Sequence, residues 1–263
     1  MIKVGKVMIG GANTVIMAGP CAVESDEQID SIASHIKTIG ANILRGGAFK
    51  PRTSPNSFQG LEAVGLRMLQ TVGNRYGMPI ISEITRIDQL DLFLETVDII
   101  QVGARNMQNF ELLKELSKIN KPVMIKRGFS SKLTELLSSV DYVLNGGNDK
   151  IILCERGIRT FETYTRNTLD ISAVPALKEL MKFNIPIIVD PSHACGKSSL
   201  VESLAKACVA VGADGIMIEV HPNPMEALSD GEESLNYEQF KHLIASIRPI
   251  ANISGKPLGN FGF

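Results

Sequence analysis

The sequence predicts an α/β protein built as a single (β/α)8 TIM barrel with a short N-terminal extension. Eight short apolar runs rich in β-branched residues alternate with longer amphipathic segments. The length of 263 residues is usual for such a barrel. An open doubly wound sheet is the less favoured alternative, because it normally contains fewer strands.

The predicted elements alternate regularly along the chain. The strands are predicted at 15–18, 42–45, 80–83, 99–102, 123–126, 151–154, 187–190 and 215–219. The helices are predicted at 25–39, 58–76, 85–95, 107–117, 132–145, 174–183, 199–211 and 237–250. Ser25 and Thr85 stand where helix N-caps are expected, and glycine or proline precedes several strands. This order of elements is typical of a closed parallel barrel.

The first 13 residues lie outside this alternation. A short alternating apolar run surrounds Gly5, which predicts a small arm or a hairpin that plugs the bottom of the barrel. Residues 1–263 are expected to form one domain.

Composition excludes several kinds of partner. The chain has 27 basic and 28 acidic residues and a net charge of −1, which predicts no nucleic-acid partner and no anionic membrane partner. No apolar run is long enough to span a membrane. The four cysteines include no CxxC pair, which favours reduced thiols and a cytoplasmic location. Because the net charge is close to zero, any anion-binding site must be formed by a local group of basic residues.

Cationic side chains concentrate where the predicted strands end. Active sites of barrels are built at the carboxyl ends of the strands, and a buried cation there normally needs an anion as partner. Two phosphates, or a phosphate and a carboxylate, would match a set of this size. For each cation alone, a solvated loop position is an equal alternative. The set comprises Arg45, Lys50, Arg52, Arg105, Lys126 and Arg156.

A second set of side chains has the chemistry of a metal site. Cys21, His193, Glu219 and Asp230 follow the first, seventh and eighth predicted strands, which are neighbours in a closed barrel. One thiolate, one imidazole and two carboxylates suit a divalent transition metal better than Ca²⁺ or Mg²⁺. The spacing alone leaves open that Cys21 is a buried apolar residue and His193 a capping or core histidine. Cys195 and Cys154 are rival ligands.

Two glutamates end predicted strands. Glu83 and Glu155 could each be a general acid or base, or orient a lysine, and Glu83 could instead only neutralise the nearby cations. His221 could provide a hydrogen bond to the groups around it.

Six segments resemble one enzyme family, the 3-deoxy-D-arabino-heptulosonate 7-phosphate (DAHP) synthases, and within it the type I beta subgroup. They are AGPCAVES at 18–25, RGGAFKPRTSP at 45–55, GARNMQNF at 103–110, LCERGIRTFE at 153–162, DPSHACGK at 190–197 and EVHPNPMEALSDGEESL at 219–235. The resemblance runs over nearly the whole chain. It implies a transferase that condenses phosphoenolpyruvate with erythrose 4-phosphate and water into DAHP and phosphate, the first step of the shikimate pathway to aromatic amino acids.

The resemblance also implies residue roles. The phosphoenolpyruvate site would be formed by Arg45, Lys50, Gly103, Ala104, Arg105, Lys126 and Arg156. Erythrose 4-phosphate would contact Arg52, Thr53 and Asp230. One divalent ion, Mn²⁺ first and Fe²⁺, Co²⁺ or Zn²⁺ next, would be bound by Cys21, His193, Glu219 and Asp230. Catalytic roles would fall to Lys50, Glu83, Lys126 and His193, with Glu83 as the candidate activator of water.

Two alternatives stay open. The 3-deoxy-manno-octulosonate 8-phosphate synthases use arabinose 5-phosphate and typically read KANRSS where this chain reads KPRTSP at 50–55. A non-catalytic phosphosugar-binding barrel is the other alternative. The family further implies a homo-oligomer, a dimer or a tetramer. Because no segment is left over for a regulatory domain, the enzyme is expected to be insensitive to aromatic amino acids.

Overall fold

An antiparallel hairpin begins the chain. It consists of β1 (Ile2–Val4) and β2 (Val7–Ile9), in which Ile2 pairs with Ile9. A Cβ on Gly5 would lie 3.4 Å from Pro79, and a Cβ on Gly10 would lie 2.7 Å from Pro186; each proline stands just before a barrel strand. The hairpin therefore covers the amino-terminal end of the barrel, and its buried side chains pack on a layer formed by Val15, Met17, Ile43, Ile81, Ile99, Met124, Ile152, Cys154, Ile188 and Met217.

Eight parallel strands form a closed barrel, which confirms the predicted fold. The structure is a computed structural model that describes residues 1–51, 54–181 and 183–259. Each strand pairs with its neighbours in the chain, and the last pairs with the first. All eight lie within one residue of their predicted bounds: β3 (Val15–Gly19), β4 (Ile43–Arg45), β5 (Ile80–Ile84), β6 (Ile99–Val102), β7 (Val123–Lys126), β8 (Ile151–Glu155), β9 (Ile187–Val189) and β10 (Gly215–Glu219).

The helices lie around the barrel. They are α1 (Asp26–Ile39), α2 (Glu62–Tyr76), α3 (Leu90–Thr96), α4 (Phe110–Leu116), α5 (Leu133–Asn145), α6 (Ala173–Leu180), α7 (Pro191–Cys195), α8 (Ser198–Ala210) and α9 (Tyr237–Ile253). The prediction for α1 is confirmed: Ser25 Oγ accepts a hydrogen bond from Gln28 N, and Gly40 ends the helix in the left-handed conformation.

The structure corrects three helix starts and adds one helix. Helix α4 starts at Phe110, three residues later than predicted, with the Asn109 side chain as its N-cap. Thr85 does not cap a helix, because its hydroxyl donates to Gln89 Oε1 at 3.1 Å instead of accepting from a backbone N–H, and a 3-10 turn that starts after Arg86 comes before α3. Helix α2 starts at Glu62, four residues later than predicted, after Gly60 at a φ of 96°. The sequence did not predict α7, which follows β9 directly and is capped by the side chain of Asp190.

The helices give no indication of a membrane span. Among residues 1–51, 54–181 and 183–259, no helix combines the length and the apolar composition needed to cross a bilayer. All four cysteines are buried and free of disulfide bonds.

Candidate active site

A cavity of about 300 Å³ opens at the carboxyl end of the barrel. Among the residues that the structure describes, six cationic side chains and two carboxylates line it. Its volume is at the lower end of the range of small-molecule sites. The excess of positive charge indicates an anionic ligand. The lining residues are Lys50, Pro51, Glu83, Ala104, Arg105, Lys126, Phe129, Arg156, Arg159, Arg166, Asn167, His193 and Asp230.

The four predicted metal ligands meet beside this cavity. One ligand atom from each of Cys21, His193, Glu219 and Asp230 lies within 4.8 Å of the others. Cys21 Sγ is 3.0 Å from Asp230 Oδ2, and His193 Nε2 is 3.3 Å from Glu219 Oε1. Three strand ends of the closed barrel bring them together.

The two rival cysteines lie elsewhere. Cys154 faces the lower layer of the barrel interior, in the cluster that packs on the hairpin. Cys195 Sγ donates to the backbone carbonyls of Ser192 and Lys197. Neither thiol is in the group of four side chains that could hold a metal ion.

The donor set fits a divalent cation. Glu219 is fully buried, and its Oε2 has no hydrogen-bond partner among the described residues. An unpaired buried carboxylate oxygen is costly, and a bound cation would satisfy it. Burial, followed by the charge of Glu219, raises the pKa of the Cys21 thiol to about 12, which the nearby Lys50 only partly opposes. The thiol therefore keeps its proton until a cation displaces it.

Asp190 supports this group from behind. Its Oδ2 is 2.7 Å from His193 Nδ1 and accepts a hydrogen bond from Lys126 Nζ at 2.5 Å. Burial alone would raise the pKa of Asp190, but His193 and Lys126 outweigh burial and hold it well below the usual value. Sequence reasoning missed this residue, although an aspartate directly before a proline is a recognisable helix start.

Two predicted cations lie under the metal-ligand group. Arg45 is buried, and its Nη1 donates to Glu219 Oε1 at 2.7 Å and to the Pro20 carbonyl at 2.6 Å. Lys50 Nζ is 2.8 Å from Cys21 Sγ and also lines the cavity. Together they place two positive charges beside the ligand atoms.

Glu83 faces the cavity, whereas Glu155 does not. Glu83 Oε2 accepts a hydrogen bond from Gln101 Nε2 at 3.1 Å, and a Cβ on Gly103 would lie 2.0 Å from Glu83 Oε1. Glu155 is buried against Arg127, with Arg127 Nη1 2.9 Å from its Oε2. Of the two candidate acids, Glu83 is thus the one placed to act on a ligand.

Asp230 is clamped by a residue that the sequence analysis missed. Arg166 Nη2 donates to Asp230 Oδ1 at 3.2 Å and to Glu233 Oε2 at 2.9 Å. Burial and then the charges of Glu219 and Asp230 raise the pKa of Glu233, and the charge of Arg166 opposes this rise. Arg166 therefore connects the loop after β8 with the loop after β10.

Two predicted residues lie outside the described residues, namely Arg52 and Thr53. His221, predicted to provide a hydrogen bond, lies within the described residues. Its Nε2 is 3.3 Å from Glu24 Oε2, and its Nδ1 is 2.8 Å from the Asn223 carbonyl oxygen. Since Glu24 also accepts a hydrogen bond from the backbone of Leu228, this contact fastens the loop that carries Asp230.

Comparisons with known proteins identify the family of this chain. The family model of the DAHP synthetase I family matches residues 1–251. The phospho-2-dehydro-3-deoxyheptonate aldolase of Thermotoga maritima is 51% identical over 97% of this chain and 75% of its own length. The 2-dehydro-3-deoxyphosphooctonate aldolase of Geobacter sulfurreducens is 33% identical over 95% of this chain and 97% of its own length.

Solved structures agree as well. The crystal structure of the Thermotoga maritima enzyme superposes with a TM-score of 0.94 at 50% identity, over 98% of this chain and 75% of that one. A truncated form of 3-deoxy-D-arabino-heptulosonate 7-phosphate synthase from the same organism gives 0.90 at 46% identity, over 98% and 94%. The chain therefore belongs to the DAHP synthetase I family.

Proposed function

We propose that this chain condenses phosphoenolpyruvate with erythrose 4-phosphate and water, releasing DAHP and phosphate. It is thus a transferase that performs the first step of the shikimate pathway. The observation that carries the proposal is the cation-lined cavity beside four metal-ligating side chains, one of which, Glu219, has an unpaired buried oxygen. Family membership and the 51% identical heptonate enzyme support the same substrates.

The two substrates occupy different parts of the site in this proposal. Phosphoenolpyruvate is bound by Arg45, Lys50, Gly103, Ala104, Arg105, Lys126 and Arg156. Erythrose 4-phosphate is bound by Arg52, Thr53 and Asp230. The support is that Lys50, Ala104, Arg105, Lys126, Arg156 and Asp230 line one cavity. Guanidinium groups match phosphate and carboxylate oxygens with paired hydrogen bonds.

In the reaction, C3 of phosphoenolpyruvate bonds to the aldehyde carbon, and water adds at C2. The resulting hemiketal phosphate loses phosphate by cleavage of its C–O bond. A divalent cation, Mn²⁺ in our proposal, supplies Lewis-acid polarisation of the aldehyde when it is bound by Cys21, His193, Glu219 and Asp230.

The protein's own groups hold charge and protons. Asp190 fixes His193 through Nδ1, which leaves Nε2 toward the ligand group. The Nζ groups of Lys50 and Lys126 stabilise the anionic substrate. Glu83 accepts a proton from the attacking water, for which its place in the cavity lining is the support.

The test is release of phosphate from phosphoenolpyruvate with erythrose 4-phosphate or with arabinose 5-phosphate. Each is assayed with a strong chelator, and again after Mn²⁺ is restored. We expect turnover with erythrose 4-phosphate alone, abolished by chelation and recovered with Mn²⁺. Turnover with arabinose 5-phosphate would favour the octulosonate assignment of the 33% identical relatives. No turnover with either sugar would favour a non-catalytic phosphosugar-binding barrel.

Three further expectations stay predictions. A cytoplasmic location is in keeping with the four free cysteines. A dimer or tetramer is to be measured by sedimentation. Insensitivity to aromatic amino acids is to be tested by adding tyrosine or phenylalanine to the assay, and clear inhibition would contradict it.

A further inference from the structure

Three arginines share one aromatic ring at the wall of the cavity. The guanidinium carbons of Arg105, Arg156 and Arg159 lie 5.4, 4.7 and 4.9 Å from the centre of the Phe129 ring. All four side chains line the cavity. Arg159 and Phe129 are in none of the expected substrate contacts, so the structure adds them to the site.

These cations lack protein anions. In the described part of the chain, no carboxylate forms an ion pair with Arg105, Arg156 or Arg159. Arg156 instead donates to the amide oxygen of Asn167 and to the His193 carbonyl. Three like charges gathered on one neutral ring repel one another, and the ring attracts each only weakly. The arrangement therefore suits a ligand with two negative charges.

The position of Arg159 is fixed by the backbone as well as by the ring. Its N–H donates to the carbonyl oxygen of Phe129 at 2.6 Å. The neighbouring Ile158 pairs with Thr168 in both directions, at 2.9 Å each. The loop after β8 is thereby joined to the loop after β7, and the Arg159 guanidinium is presented to the cavity.

We propose that Phe129 is a positioning residue that presents Arg105, Arg156 and Arg159 as one phosphate-binding face, and that Arg159 is a further binding residue for the phosphoryl group of phosphoenolpyruvate. The choice of this substrate rests on the proposed function, which gives Arg105 and Arg156 to phosphoenolpyruvate. The three oxygens of a phosphoryl group can accept from three guanidinium groups at once.

The first test is Arg159→Met, with Arg67→Met as the matched control, since Arg67 is an exposed arginine paired with Glu95 on the outer helices. Calorimetric titration measures binding of phosphoenolpyruvate and of inorganic phosphate, and steady-state kinetics measures both Michaelis constants. We expect Arg159→Met to weaken binding of both phosphate ligands by about tenfold, because a charge-assisted hydrogen bond is lost. The Michaelis constant for erythrose 4-phosphate stays unchanged. Unaltered phosphoenolpyruvate binding, or a shift confined to erythrose 4-phosphate, overturns the proposal.

The second test separates the ring from the volume it fills. Phe129→Leu removes the aromatic face, whereas Phe129→Tyr keeps it. We expect Phe129→Leu to weaken phosphoenolpyruvate binding by about fivefold, since weak attraction to several cations is lost together, and Phe129→Tyr to bind within about twofold of the wild type. Wild-type affinity in Phe129→Leu, or equal losses in both variants, contradicts the positioning role.

These binding measurements do not need turnover. If the wild-type protein binds phosphoenolpyruvate but does not release phosphate with erythrose 4-phosphate, the proposed function fails while the variants still test the binding face. If turnover is present and Arg159→Met binds as the wild type does, only the role of Arg159 fails.

Discussion

At the scale of single residues, Gly103 matters because it has no side chain. A Cβ there would lie 2.0 Å from Glu83 Oε1, although the φ of −68° suits any residue. We therefore expect Gly103→Ala to fold normally and to push the Glu83 carboxylate aside. Removing the carboxylate in Glu83→Ala should lower turnover by about 10²-fold or more, the usual contribution of a general base, with small effects on the Michaelis constants.

Steady-state kinetics checks this prediction, with urea unfolding to verify folding. Glu95→Ala, on the exposed end of α3, is the control that should keep wild-type turnover. Gly103→Ala should reproduce part of the Glu83→Ala loss. Unchanged turnover in Glu83→Ala would remove this residue from the mechanism.

A second prediction at the residue scale concerns Asp190. It fixes both His193 and Lys126, and loss of an outer partner of a metal ligand typically weakens metal binding 10- to 100-fold. We expect such a loss of Mn²⁺ affinity in Asp190→Asn, measured by direct titration. Asp214→Asn is a matched control, because Asp214 is also buried but accepts from the backbone N of Ile187 at the opposite end of the strand. Equal Mn²⁺ affinities in the two variants would exclude this role.

The four candidate metal ligands were proposed from the sequence, where strand spacing alone left Cys21 and His193 open and the family resemblance implied the full set, but the side chains that support them were not found. Each of the four follows a strand end, and closure of the barrel makes strand ends neighbours. Arg166 and Glu233 are 67 positions apart, and their contact depends on how two loops fold over each other. Likewise, nothing in the sequence around Phe129 indicates that three arginines gather on its ring.

At the scale of elements, strand bounds were predicted better than helix starts. Buried strands consist of short apolar runs that the sequence displays directly, as at β7 and β10. Helix starts depend on which polar group satisfies the first backbone N–H groups. Ahead of α3, Gln89 Oε1 accepts from the backbone N–H groups of Thr85 and Arg86, so the helix starts after Gln89 and not at Thr85.

The contact between α8 and α9 predicts a pH effect. Hydrogen bonds from Lys206 and then His242 lower the pKa of Glu202 to about 2, from an ordinary 4.5. The ionised carboxylate is thus favoured in the folded state, so its stabilisation is full above pH 4.5 and is lost as the pH falls toward 2. Because the Glu202 side chain is still 30% exposed to solvent, which screens its ion pairs, the contribution is at most about 1 kcal/mol.

We therefore expect Glu202→Gln to lower the free energy of unfolding slightly at pH 6, with a difference from the wild type that shrinks as the pH falls from 4.5 toward 3. Urea unfolding at a series of pH values measures it. A difference that grows on acidification would contradict the ionised pairing with Lys206 and His242.

At the scale of the whole molecule, the two ends of the barrel have different tasks. The carboxyl end holds the cavity and the four side chains that could bind a metal ion, while the amino end is filled by an apolar layer under the hairpin. The barrel could be predicted because eight repeated units leave few other ways to close a parallel sheet. The hairpin was one of two options for the first 13 residues, since so short an apolar run does not by itself fix its partner.

Because the hairpin and the site lie at opposite ends of the barrel, a substitution at Ile9 should change stability without changing activity. Its side chain is fully buried between the hairpin and the lower layer of the barrel, so Ile9→Ala should leave a cavity and lower the free energy of unfolding by about 2–5 kcal/mol. Met8→Ala is the matched control on the outer face of the same strand, where the side chain is 40% exposed, and it should cost less than about 0.5 kcal/mol. Turnover and both Michaelis constants should be unchanged in each variant at a temperature where both stay folded. A raised Michaelis constant in Ile9→Ala would mean that the hairpin transmits strain through the barrel interior to the substrate site.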